Sequence, residues 1–114
     1  MITGGGAGRH HGRGFVYVMY DSETNHVKIG YSRKLKRRLK DIKRNRPETI
    51  CVGKVKANEM NRAETAAQHA VELHLGMQKI TNNATDWYHL PTNVTVEDVL
   101  DRVRQAVYYH NRQS

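Results

Sequence analysis

Nine of the fourteen residues from Arg33 to Arg46 are lysine or arginine, and Asp41 is the only acid among them. Opposite charges at helical spacing normally neutralise such a run. They are nearly absent here, so intrahelical salt bridges cannot account for it, whereas phosphate contacts can. Arg33, Lys34, Lys36, Arg37 and Lys40 are therefore candidate nucleic-acid-binding residues. Each phosphate they neutralise would steepen the salt dependence of duplex binding by about 0.9 log unit per decade. Phosphate contacts position without specifying, and the chain shows no helix-turn-helix or zinc module, which predicts weak or shape-based selectivity.

The whole composition points the same way. Nineteen Lys and Arg against eleven Asp and Glu leave a net charge of +8 on 114 residues, which argues for a polyanionic partner, nucleic acid first. Hydrophobic residues make up 38% and charged residues 26%, suited to one small domain with a thin core. No apolar run approaches the roughly 20 residues of a membrane helix. Met1 to Gly14 lacks the apolar stretch of a secretory signal, so an intracellular protein is expected. Cys51 is the single cysteine, which excludes an internal disulfide and a metal site built on cysteine pairs. Its place in the apolar-rich stretch Thr49 to Val55 predicts a buried structural thiol. His69 and His74, five apart, do not make an i, i+4 metal pair. The Asn-x-Thr triplets at Asn83 and Asn93 would matter only in a secreted chain.

These groups need elements to hold them. Residues 1–14 carry six glycines with Arg9, His10, His11 and Arg13, and predict a flexible basic arm that touches phosphates or is simply a tail. Phe15 to Tyr20 is aromatic and β-branched, Asp21 to Asn25 supplies turn chemistry, and His26 to Tyr31 resumes a strand pattern, which together predict an antiparallel hairpin. Leu35, Leu39 and Ile42 mark the narrow apolar stripe of a helix over Arg33 to Arg46, stopped by Pro47. Thr49 to Lys56 reads as a third strand with a bulge near Gly53, and a second helix is expected from about Asn58 to Leu75. The segment Asp86 to Leu90 is a brief strand or a loop packed on the core. Thr95 before Val96-Glu97-Asp98 resembles a capping box, and Val96, Val99, Leu100, Val103 and Val107 continue at helical spacing. The expectation is an α+β fold, a small three-stranded antiparallel sheet flanked by helices.

Within this order, Val16-Tyr17-Val18 on one strand and Lys28-Ile29-Gly30 on its neighbour resemble the paired tripeptides of the GIY-YIG nucleases. The run Tyr31-Ser32-Arg33-Lys34-Leu35-Lys36-Arg37-Arg38-Leu39 is similar to the stretch leading to the family's helix arginine. Arg62-Ala63-Glu64 is similar to the site of its single metal-binding glutamate. Asp86-Trp87-Tyr88 resembles a late segment of a phage- and fungal-type subgroup. The sequence departs from the pattern in three places. Lys28 stands where the second tyrosine is usual, Ile42 where some members carry a histidine, and Gln68-His69 where the subgroup often has a histidine four beyond the glutamate. The resemblance covers Gly14 to about Leu90 and implies a nuclease domain over residues 15–92; residues 93–114 lie outside it and read, from their apolar spacing, as a C-terminal amphipathic helix packed on the same domain.

It also implies roles. Hydrolysis of a phosphodiester needs an activated water, neutralisation of charge in the transition state, and stabilisation of the leaving alkoxide. The resemblance makes Tyr17 the group that positions the water and takes its proton. A phenol titrates at about 10, so nearby cations such as Lys28 or a metal must favour its ionised form. Lys28, if itself deprotonated, would share the base role. Arg38 would fork onto the scissile phosphate, and Glu64 would offer a hard oxygen to one Mg²⁺, with Mn²⁺ a substitute. Gly30 would leave room for the phosphate backbone, and Tyr31 and Ser32 would hydrogen-bond a phosphate. Taken singly, Tyr17 is a packed strand tyrosine, Arg38 a solvated cation and Glu64 a surface carboxylate; only the combination makes a site. Trp87 reads as core or a helix–sheet plug rather than a base-stacking platform. The expected activity is a metal-dependent endonuclease acting on nucleic acid, DNA rather than RNA. The alternative is a nucleic-acid-binding module of the same fold without catalysis.

Overall fold

In the computed structural model, residues 12–80 and 87–113 are described. Most of the predicted arm, as well as Asn83 and Asp86, lies outside them. The chain runs β1 (Gly14–Asp21), β2 (His26–Ser32), α1 (Leu35–Lys43), β3 (Thr49–Ala57), α2 (Met60–Leu75), β4 (Gln78–Lys79), β5 (Trp87–His89) and α3 (Val96–Gln113). The class is α+β as expected, but the antiparallel sheet has five strands in the order β3-β1-β2-β5-β4 rather than three. The two additional strands are three and two residues long, too short for alternation to announce them.

β1 lies between β2 and β3, and its side chains Val16 to Met19 are buried on both faces of the sheet. Side chains alternate across a strand. Val16 and Val18, with Val27, Ile29 and Val55, face the main core formed with Ala63, Ala67 and Val71 of α2 and Val99, Val103 and Val107 of α3. Leu100 of α3 sits over Gly53, where a Cβ would come within 2.7 Å of its side chain. The β1–β3 register shifts between Val18 and Met19, opposite Gly53 and Cys51, so the predicted bulge is present. Cys51 itself is exposed, against expectation. The bulge breaks the alternation that would have carried it inward.

The hairpin turn forms as its residues predict. The Asp21 carboxylate accepts from the Glu23 amide and the Thr24 hydroxyl, both at 3.0 Å, and Asn25 takes a positive φ of 60°. α1 is shorter than the predicted Arg33–Arg46, and none of its residues is buried. Its cations repel one another, it has no side-chain N-cap, and Leu35, Leu39 and Ile42 are only half-buried. The capping box of α3 is formed. Asp98 donates its amide to Thr95 Oγ1, and Thr95 its amide to Asp98 Oδ2, each at 3.0 Å. No helix among the described residues is long and apolar enough to cross a membrane.

Candidate functional site

The sheet face turned away from the main core carries the candidate residues of β1 and β2. Tyr17, Met19 and Asp21 of β1 point to this face, opposite Gly30, Lys28 and His26 of β2. The Tyr17 ring lies across Gly30. A Cβ there would stand 2.4 Å from the phenol oxygen, so only glycine admits the ring in this position. The room that Gly30 leaves is thus occupied by Tyr17 itself, which is 1% exposed. On the other side of β1, Lys54 of β3 is the register partner of Tyr17. The phenol therefore sits in a row running from Gly30 to Lys54, with Lys28 two residues from Gly30 on the same face of β2.

Further along β2, Ser32 lies on this face two residues past Gly30, a strand rise of roughly 7 Å. Ser32, Lys34, Arg37, Arg38 and Asp41 line a depression of about 140 Å³. Ser32 Oγ accepts from the Lys34 amide at 2.9 Å, which fixes the entry to α1 and so the height of Arg38 above the strand end. Arg33, Lys34, Lys36, Arg37, Arg38 and Lys40 are all exposed, and Tyr31 is half-buried. Arg38 thus lines the depression at the end of β2, and Tyr17 lies against Gly30 two residues before Ser32 on that strand.

Glu64 is placed by two contacts on either side of it in α2. The Met60 amide donates to the Gly12 carbonyl at 3.0 Å, beside the start of β1. One turn beyond Glu64, Gln68 Nε2 donates to the Ile29 carbonyl at 3.1 Å. Lys79 Nζ in turn donates to Gln68 Oε1 at 3.2 Å. The turn carrying Glu64 therefore passes the end of β2 where Gly30 and Ser32 lie, and Glu64 is half-buried there. Gln68, read from sequence only as a departure, proves to anchor the helix. His69 and His74 are exposed on other faces.

Among the described residues no group of three or more His, Cys, Asp or Glu side chains gathers to hold a metal. That rules out an all-protein cage of described residues. A single hard carboxylate such as that of Glu64 would suit a magnesium ion that keeps water and substrate phosphate oxygens as most of its ligands.

The other end of the same face holds a cluster that sequence reasoning missed. Arg46, just past α1, directs Nη1 to Asp21 Oδ2, Thr24 Oγ1 and His26 Nδ1, each at 3.1 Å, and places its guanidinium 3.9 Å from the centroid of Trp87. Lys28 Nζ is 5.8 Å from the same ring. Trp87 is 5% exposed and under Arg46, so it is a core plug on this face, as its sequence setting suggested. An arginine cannot accept a hydrogen bond, so His26 Nδ1 must be the acceptor and the ring neutral. The cluster fixes α1 to the sheet.

No curated protein and no solved structure matches the chain. Its residues 14–107, from the first strand through most of the last helix, match the T5orf172 domain, and the chain belongs to that family.

Proposed function

We propose that this protein is a divalent-metal-dependent endonuclease of the GIY-YIG type, hydrolysing phosphodiester bonds in nucleic acid, with DNA preferred. The observation that carries the reading is the crossing of Tyr17 over Gly30 on adjacent strands, with Arg38 at the strand end and Glu64 on the helix passing it. The T5orf172 domain occurs in endonuclease-like proteins of phages and fungi, which supports the same class.

In this reading each side chain has one task. Arg38 binds two oxygens of the scissile phosphate through its planar fork, which a lysine would do less well. Tyr17 acts as its phenolate, a form that the positive charge of Lys28 and Lys54 on the flanking strands favours; Oη holds the attacking water and accepts its proton, returning to the neutral phenol. Glu64 would hold one Mg²⁺, which when bound supplies positive charge to the phosphate and the leaving oxygen. Gly30, Tyr31, Ser32, Arg33, Lys34, Lys36, Arg37 and Lys40 form the surface along which the strand is held. Because Tyr17 is 1% exposed, a phosphate reaches its hydroxyl only by displacing the side chains packed over it.

That burial is also the observation favouring a second reading, a binding module of the same fold that does not cut. Removing one hydroxyl separates the two. Single-turnover cleavage of a labelled oligonucleotide with Mg²⁺ or Mn²⁺ should slow by about a hundredfold or more in Tyr17→Phe, with binding unchanged. Binding without cleavage by the wild type would leave the binding module, and full-rate cleavage by Tyr17→Phe would remove the tyrosine from the mechanism.

A further inference from the structure

A second depression, of about 380 Å³, opens at the start of β1 and is lined by Arg13, Gly14, Phe15, Arg33, Lys56, Ala57 and Asn58. Its volume lies in the range of small-ligand sites, roughly 300–1,000 Å³. Phe15 faces it from the same side of the sheet as Tyr17, two residues earlier on β1, with Ser32 and Lys56 as its register partners. Lys54 Nζ stands 4.8 Å from the centroid of the Phe15 ring. Arg13, Arg33 and Lys56 thus line the pocket with Phe15, Lys54 stands at the ring, and no acid lines the pocket among the described residues.

The pocket is also built rather than incidental. Arg33 Nε donates to the Arg13 carbonyl at 3.0 Å, holding the guanidinium across the mouth. Behind the opposite wall, Asn111 of α3 donates Nδ2 to the Lys56 carbonyl at 3.0 Å and accepts from the Asn58 amide at 3.0 Å. The end of β3 is therefore pinned from the far side of the molecule, and the Lys56 side chain is set at the pocket.

Paired phosphates on a duplex surface need cations but no apolar floor. An unpaired nucleotide needs both, an aromatic face for its base and cations for its phosphate. We propose that this pocket takes one unpaired nucleotide of the bound strand, its base against Phe15 and its phosphate among Arg13, Arg33 and Lys56. Phe15 and Tyr17 are roughly 7 Å apart along β1, so this nucleotide is a neighbour of the bond that is cut. The inference rests on the nuclease reading for that adjacency, and it assigns the substrate class as strands with unpaired nucleotides, such as single strands, flaps and gaps.

The test is fluorescence anisotropy with the full chain in EDTA, using a labelled single-stranded DNA and a blunt duplex of the same sequence. Phe15→Leu should weaken single-strand binding about fivefold or more and leave duplex binding within about twofold. Lys56→Ala, at an exposed position that does not threaten the fold, should lower the salt slope on the single strand by about 0.7. Equal losses on both forms, or none on either, would overturn the pocket assignment. Cleavage by the wild type is read separately with metal added. Cutting that persists while selectivity is absent overturns the pocket and spares the nuclease; Phe15-dependent single-strand binding without any cutting does the reverse.

Discussion

Arg46 lies just past α1 and yet is tied to both strands of the hairpin, and through it pH enters the stability of the molecule. Its partner Asp21 is 1% exposed. Burial pushes the Asp21 carboxyl upward, but hydrogen bonds from Thr24, the Glu23 amide and Arg46, with the Arg46 charge, outweigh it and hold the group below its ordinary value. His26 is lowered first by burial, then by the charges of Arg46 and His89, with Asp21 pulling the other way. For the histidine, the unfolded chain takes up its proton first, near about pH 6.5, so stability falls as pH drops from there through the lowered folded value. For the carboxylate, the stabilisation is complete above its unfolded value of about 3.9 and is lost as pH falls through the folded one. Both act in the same sense. Thermal melts should therefore show stability decreasing from neutral pH to pH 5 and again below pH 4, whereas a flat profile over that range would contradict the arrangement. Arg46→Ala leaves a buried carboxylate without its cation and should cost about 2–4 kcal/mol in denaturant unfolding.

Among the elements, α1 is the one whose sequence serves a surface rather than a core. The ion pair at its C-terminal end, Asp41 to Arg44 at 3.7 Å, joins two well-exposed side chains and is worth little. Replacing Lys36, Arg37 and Lys40 together by alanine should reduce the slope of log affinity against log salt on duplex DNA by about 2 to 3, without lowering the melting temperature, since self-repulsion is relieved. An unchanged slope would take these residues out of the interface. The elements also show what was legible beforehand. The hairpin, its turn residues, the apolar spacing of α3 and the Thr95–Asp98 box are local signals, and each is written in neighbouring residues. β4 and β5 owe their pairing to the edge of β2 rather than to their own pattern, so Gln78 and Lys79 carried no strand signal at all. Cys51 was misread because a bulge turns a local alternation outward. Gly30 was read as space for substrate, and only the cross-strand register shows that Tyr17 fills it. The Arg46–Trp87 contact joins positions some forty residues apart, and no periodicity reports such a pair.

At the scale of the whole molecule, the sheet divides two tasks. One face is closed by α2 and α3 into a core of small and branched residues. The other carries Tyr17 one strand step inside the end at which the depression at Arg38 and the pocket at Phe15 both open, Phe15 and Ser32 being direct register partners. A monomer with one such site would cut one strand at a time, so its first product from a supercoiled plasmid would be the nicked circle and not the linear form. The measurement that bears most directly on this account is cleavage of supercoiled plasmid by the full chain with Mg²⁺ or Mn²⁺, beside an EDTA control and the Glu64→Ala variant. The account predicts nicking that requires the metal, stops in EDTA and is abolished in Glu64→Ala while DNA binding persists. Cleavage by Glu64→Ala at the wild-type rate, or a wild type that binds the plasmid and never nicks it, would contradict it.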